Sequence, residues 1–65
     1  LSYGIEEVGA FSGGYAPALA TNGLYGYVNE DRVWVVQAMY DEACHVLDGK
    51  ASVSVQGLTQ IIDVP

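Results

Sequence analysis

Residues 29–49, NEDRVWVVQAMYDEACHVLDG, decide how the chain is read, because they are its longest stretch without an internal glycine or proline. Asn29 is a good N-cap, Glu30 and Asp31 supply the acids that favour a first helical turn, and Gly49 stands where a helix would stop. Val33, Val36, Tyr40, Ala43 and Leu47 recur at alternating spacings of three and four, the period of one helical face, with Met39 and Cys44 on its flanks. The pattern predicts a helix over about Glu30 to Leu47. Trp34, Ala38, Asp41 and His45 then form a second line well round the helix.

Outward from this stretch, the flanks read as extended chain. Leu1 to Gly26 holds six of the eight glycines, with Phe11-Ser12-Gly13-Gly14-Tyr15 as a loop and a short β-like piece around Ser2 to Val8. Leu24 to Val28 is aromatic and β-branched, which suits a strand. On the C-terminal side Ala51, Val53 and Val55 alternate with Ser52, Ser54 and Gln56, the period of a strand with one buried face. Gln56-Gly57 turns or bulges the chain, and Leu58 to Val64 is a second apolar strand. The expected order is strand, helix, strand, strand, without internal repeats, and the expected fold is α+β: a helix packed across one face of a small antiparallel sheet.

Size bounds what this fold does alone. Sixty-five residues make one small domain, or part of a domain shared with a second chain, and rarely bury enough apolar surface for independent stability. Cys44 and His45 are too few for an internal disulfide or a structural metal, which leaves a partner chain as the supplement. Hydrophobic residues make up 51% and charged residues only 15%, so excess apolar surface is expected to form an interface, for which Trp34, Val36, Tyr40 and Cys44 are the candidates. A start at Leu1, a single Met39 and an end at Val64-Pro65 read as a product cut from a precursor. Secretion is inferred from that processing.

Eight carboxylates against Arg32 and Lys50 give a formal charge of -6. Nucleic acid is excluded as an expected partner, since its binding depends on Lys and Arg releasing counterions. Catalytic readings are weak. Ala10-Phe11-Ser12-Gly13-Gly14 approaches the G-x-S-x-G turn of hydrolases but lacks the strand-to-helix setting, and Pro17 follows. The same glycines lack the lysine of a phosphate loop. Cys44 and His45 are adjacent and diverge on a helix, so they do not form a nucleophile and base. His45, one helical turn after Asp41, is a candidate pH-sensitive partner for it. Tyr25 and Tyr27 would share a strand face and suit either sugar stacking or packing. No cofactor is expected, and no catalytic residue is assigned.

Thr21-Asn22-Gly23, the strand Leu24 to Val28 and the acid-led helix carrying Ala43-Cys44 together resemble the two-chain fungal killer toxins of the salt-mediated yeast type. The resemblance spans roughly Thr21 to Val64. It implies a secreted, non-enzymatic toxin subunit with split β-α-β topology, paired with a second chain from the same precursor and acting at the surface or membrane of competing cells. The rival reading is a small packing subunit of a proteolytically processed enzyme.

Overall fold

The computed structural model describes residues 4–64, which form seven strands: β1 (Ile5–Val8), β2 (Tyr15–Ala20), β3 (Tyr25–Asn29), β4 (Trp34–Tyr40), β5 (Glu42–Leu47), β6 (Lys50–Val55) and β7 (Leu58–Asp63). They make two antiparallel meanders, a four-stranded sheet in the order β1-β2-β3-β4 and a three-stranded sheet in the order β5-β6-β7. The α+β expectation is therefore wrong, and so is the split β-α-β topology: Glu30 to Leu47 is not a helix but two strands in different sheets, and no helix is present among the described residues.

The reasons are local. Trp34, Val35, Val36 and Tyr40 are β-branched or aromatic residues that favour a pleated surface. Along β4 burial alternates rather than following a helical stripe, with Ala38 and Tyr40 buried and Gln37 and Met39 exposed. Val33 and Leu47, both on the supposed apolar stripe, are largely exposed. Asn29 does use its capping chemistry, but in a turn: its Oδ1 accepts from the Asp31 N–H at 2.9 Å and the Val33 N–H at 3.0 Å. Arg32 takes φ 62° within that turn, which ends any helix at its start. Asp48-Gly49, the expected helix stop, is a two-residue hairpin turn with φ 55° and 75°, the signature of type I′.

The two sheets separate at Asp41. Its N–H donates to the Ser54 carbonyl at 2.8 Å, and its carboxylate accepts the Gln56 N–H at 2.7 Å. This corner hands the chain from β4, beside β3, to β5, beside β6.

The expected absence of internal repeats is also corrected, because the β2–β3 and β6–β7 hairpins are copies in register. Tyr15↔Asn29, Ala16↔Val28, Pro17↔Tyr27, Ala18↔Gly26 and Leu19↔Tyr25 correspond in order to Lys50↔Asp63, Ala51↔Ile62, Ser52↔Ile61, Val53↔Gln60 and Ser54↔Thr59. The Ser12↔Tyr15 bridge before β2 corresponds to the Leu47↔Lys50 pair before β6, across Gly13-Gly14 and Asp48-Gly49 respectively. Gly23-Leu24 and Gly57-Leu58 lead into the second strand of each hairpin. The one difference in length lies in the turns, where Thr21-Asn22-Gly23 stands against Gln56-Gly57.

The units pack on each other through Tyr27 and Tyr40 from the first sheet and Val46, Ala51, Val53 and Val64 from the second part of the chain. Tyr15, Val35, Val36, Ala43, Val55 and Ile62 pack around them. On β2 the alternation is strict, with Ala16, Ala18 and Ala20 buried and Tyr15, Pro17 and Leu19 half-buried. Pro17 offers no N–H to the β1 side, and although its carbonyl accepts from the Gly9 N–H at 2.7 Å, β1 pairing has ended at Val8↔Ala18.

Candidate functional site

Equivalent positions in the two hairpins have different surroundings, and this difference locates the candidate site. Tyr27 is fully buried, because β5 lies over it and its hydroxyl donates to the Cys44 carbonyl. Burial pushes its phenol up to about 12 from an ordinary 10.0, with the neighbouring Cys44 adding to the rise. Ile61, its counterpart in the second unit, is 70% exposed. Leu47, before the Asp48-Gly49 turn, is 65% exposed.

Ile61 and Leu47 border a shallow open depression on the outer face of the second sheet, lined also by Cys44, His45, Lys50 and Ser52. Register explains the grouping: Leu47 lies opposite Lys50, and Ser52 opposite Ile61, so these side chains share the face turned away from the core residues Ala51 and Val53. Lys50 Nζ pairs with Asp63 Oδ1 at 2.5 Å, with both groups open to solvent. The surface is apolar at its centre and charged at one end. Among the described residues no three His, Cys, Asp or Glu side chains converge on one point.

The residues singled out from sequence fall in different places. Tyr40 is buried and Val36 packs against its cluster, so the surface they meet is the chain's own second sheet. Trp34 is half-buried at the start of β4, and Cys44 is an exposed free cysteine on the depression. Asp41 and His45 are not one helical turn apart. Asp41 is exposed at the corner with its carboxylate on the Gln56 amide, whereas His45 is exposed on β5. Four residues of extended chain span up to roughly 13 Å. Ser12, in the hydrolase-like turn, donates from its hydroxyl to the Val46 carbonyl at 2.7 Å, a tie between the two units. Tyr25 is half-buried, whereas Tyr27 belongs to the core.

Sequence reasoning missed Leu47 and Ile61 as surface residues. The signal that could have found them is the recurrence of Gly14-Tyr15-Ala16 as Gly49-Lys50-Ala51, and of Asn22-Gly23-Leu24 as Gln56-Gly57-Leu58. Aligning the two copies places Ile61 on Tyr27.

No curated protein and no solved structure matches the chain. Residues 25–58, just over half of the sequence, match the WG containing repeat family. The match runs from the first residue of β3, through β4, β5, β6 and the Gln56-Gly57 turn, to the first residue of β7. With duplicated hairpins lying at both ends of the matched segment, the chain belongs to the WG containing repeat family.

Proposed function

We propose that the chain is a non-catalytic recognition module, built from β-repeats, whose working surface is the outer face of β5, β6 and β7. The observation that carries this reading is Ile61, an apolar side chain left 70% exposed at the position where Tyr27 of the preceding unit is fully covered. Leu47, opposite Lys50 on the same outer face, extends this apolar surface. Apolar residues grouped on one face of so small a body mark a contact surface. The helix on which the killer-toxin resemblance leaned is a pair of strands here, so the proposal rests on the repeat and not on that resemblance.

The test is to select linear peptides from a display library against the immobilised 65-residue chain and to titrate the selected peptides by calorimetry. Binding is expected to weaken at least tenfold in Ile61→Lys and to persist in Gln37→Lys, a change on the exposed side of β4. Selected peptides indifferent to Ile61→Lys would remove the second sheet as the working surface.

A further inference from the structure

The free edge of the second sheet deepens the recognition reading, and rests on it. In the first unit β3 has a neighbour on both sides, β2 and β4; in the second unit its counterpart β7 pairs with β6 alone among the described strands. We infer that the outer edge of β7 is an acceptor for one occupant, the β4-type strand of a further WG containing repeat.

The direction of the backbone groups supports this. In β3, the Ala20 N–H to Leu24 carbonyl bond of 2.9 Å sets the phase of the β2–β3 ladder. Alternation along an antiparallel pair then turns the amides of Tyr25, Tyr27 and Asn29 away from β2. Those residues are the ones β4 meets, through Tyr25↔Tyr40, Tyr27↔Val36 and the Asn29 N–H to Val33 carbonyl bond of 3.0 Å. In β7, the Val64 N–H to Gly49 carbonyl bond of 2.8 Å sets the corresponding phase. Thr59, Ile61 and Asp63 therefore direct their amides and carbonyls away from β6, as their three counterparts do towards β4.

The edge is also unprotected. Exposed edge strands are ordinarily blunted by bulges, prolines or inward-pointing lysines. The pairings β1–β2, β3–β4 and β5–β6 each contain a register irregularity, but β6–β7 runs through six successive pairs without one. β7 contains no proline and no lysine, and its charged residue, Asp63, stands at the end in its ion pair with Lys50. The first unit specifies the occupant: an antiparallel strand placing an aromatic residue opposite Thr59, as Tyr40 lies opposite Tyr25, and a β-branched residue opposite Ile61, as Val36 lies opposite Tyr27. Such strand addition draws affinity from main-chain hydrogen bonds and specificity from alternate side chains. A second copy of this chain could supply the strand only by withdrawing its own β4 from β3.

The probe is a capped peptide with the sequence of Arg32–Asp41, added to the isotope-labelled 65-residue chain while amide hydrogen exchange is followed by NMR. The expected result is at least tenfold slower exchange at Thr59, Ile61 and Asp63, with Gln60 and Ile62, whose amides already face β6, unchanged. Ile61→Pro, which removes an outward donor, should abolish the protection; should that variant fail to fold, the exchange pattern of the unaltered chain decides. Faster exchange of the chain's own β4 amides, with Thr59, Ile61 and Asp63 unprotected, would mean that the peptide replaces β4, and overturns the assignment. Protection of β7 that grows with chain concentration in the absence of peptide would place a second copy there, and overturns it too. If display-selected peptides still depend on Ile61 while Thr59, Ile61 and Asp63 exchange freely, the edge assignment fails and the recognition face stands. If neither binding is seen, both fail.

Discussion

The Tyr27 hydroxyl donates to the Cys44 carbonyl and so ties β3 of the first sheet to β5 of the second, across the contact on which the two repeat units depend. Replacing Tyr27 by Phe keeps the ring and deletes this bond. The expected cost is about 1 kcal/mol, read as a lower urea midpoint with an unchanged slope.

The same phenol makes stability sensitive to alkali. Its folded pKa of about 12 lies above the ordinary 10.0 because burial disfavours the phenolate. Below the unfolded value the group is neutral in both states, so its contribution is complete. As pH climbs from 10 towards 12 the unfolded chain loses its proton first, and stability falls until the folded phenol also ionises. The interval corresponds to an upper limit of about 3 kcal/mol. Urea midpoints at neutral and strongly alkaline pH should diverge less in Tyr27→Phe than in the unaltered chain; equal divergence would show that other groups cause the loss.

Gly26, on β3, faces the backbone of β4 at Val36 and Gln37. A Cβ there would fall inside contact distance of the Val36 carbonyl oxygen and 2.8 Å from the Gln37 carbonyl carbon, both of them backbone atoms that cannot rotate away. Gly26→Ala is expected to destabilise the chain by roughly 2 kcal/mol and to shift the β3–β4 register, within the range for overpacking a fitted contact. Thermal unfolding and the NMR shifts of Val36 and Gln37 check both parts. An unchanged midpoint would mean that β4 stands further from β3.

Gln56 adopts φ 52° in the turn before Gly57. Asparagine tolerates this left-handed region better than glutamine, and Asn-Gly is a favoured type I′ pair. Gln56→Asn should therefore stabilise by about 0.5 kcal/mol, while the Asp41 carboxylate keeps its backbone N–H partner. A raised denaturation midpoint is the expected reading, and a lowered one would show that the glutamine side chain makes a contribution of its own.

The half of the fold legible in the sequence is the half with unambiguous period. Ala51, Val53 and Val55 alternate cleanly, Leu24 to Val28 is uniformly β-prone, and Gln56-Gly57 reads as a turn. Residues 29–49 satisfy two periods at once: Val33, Val36, Tyr40, Ala43 and Leu47 keep helical spacing, while Ala38 and Tyr40 keep strand spacing. Their β-branched and aromatic content, and the hairpin signal in Asp48-Gly49, argued for strands; Asn29 tipped the reading because the same side-chain acceptor serves a helix cap and a loop turn. An interface was expected from the apolar excess, but its position was not legible. Val36 and Tyr40 cover the neighbouring unit within the chain, and only an alignment of the two hairpins shows that Ile61 has no such cover.

The division at Asp41 has a kinetic side. Each strand pairing joins strands consecutive in sequence, and neither sheet needs a strand from beyond the corner. Ladder formation then closes only short loops, whose entropy is small, and the long-range step is left to the docking of one finished meander on the other. A chain cut beside Asp41 would carry all the pairing instructions for both sheets in its two pieces, so their reassembly would be a bimolecular event governed by the Tyr27–Val46–Val53 contact and not by strand exchange.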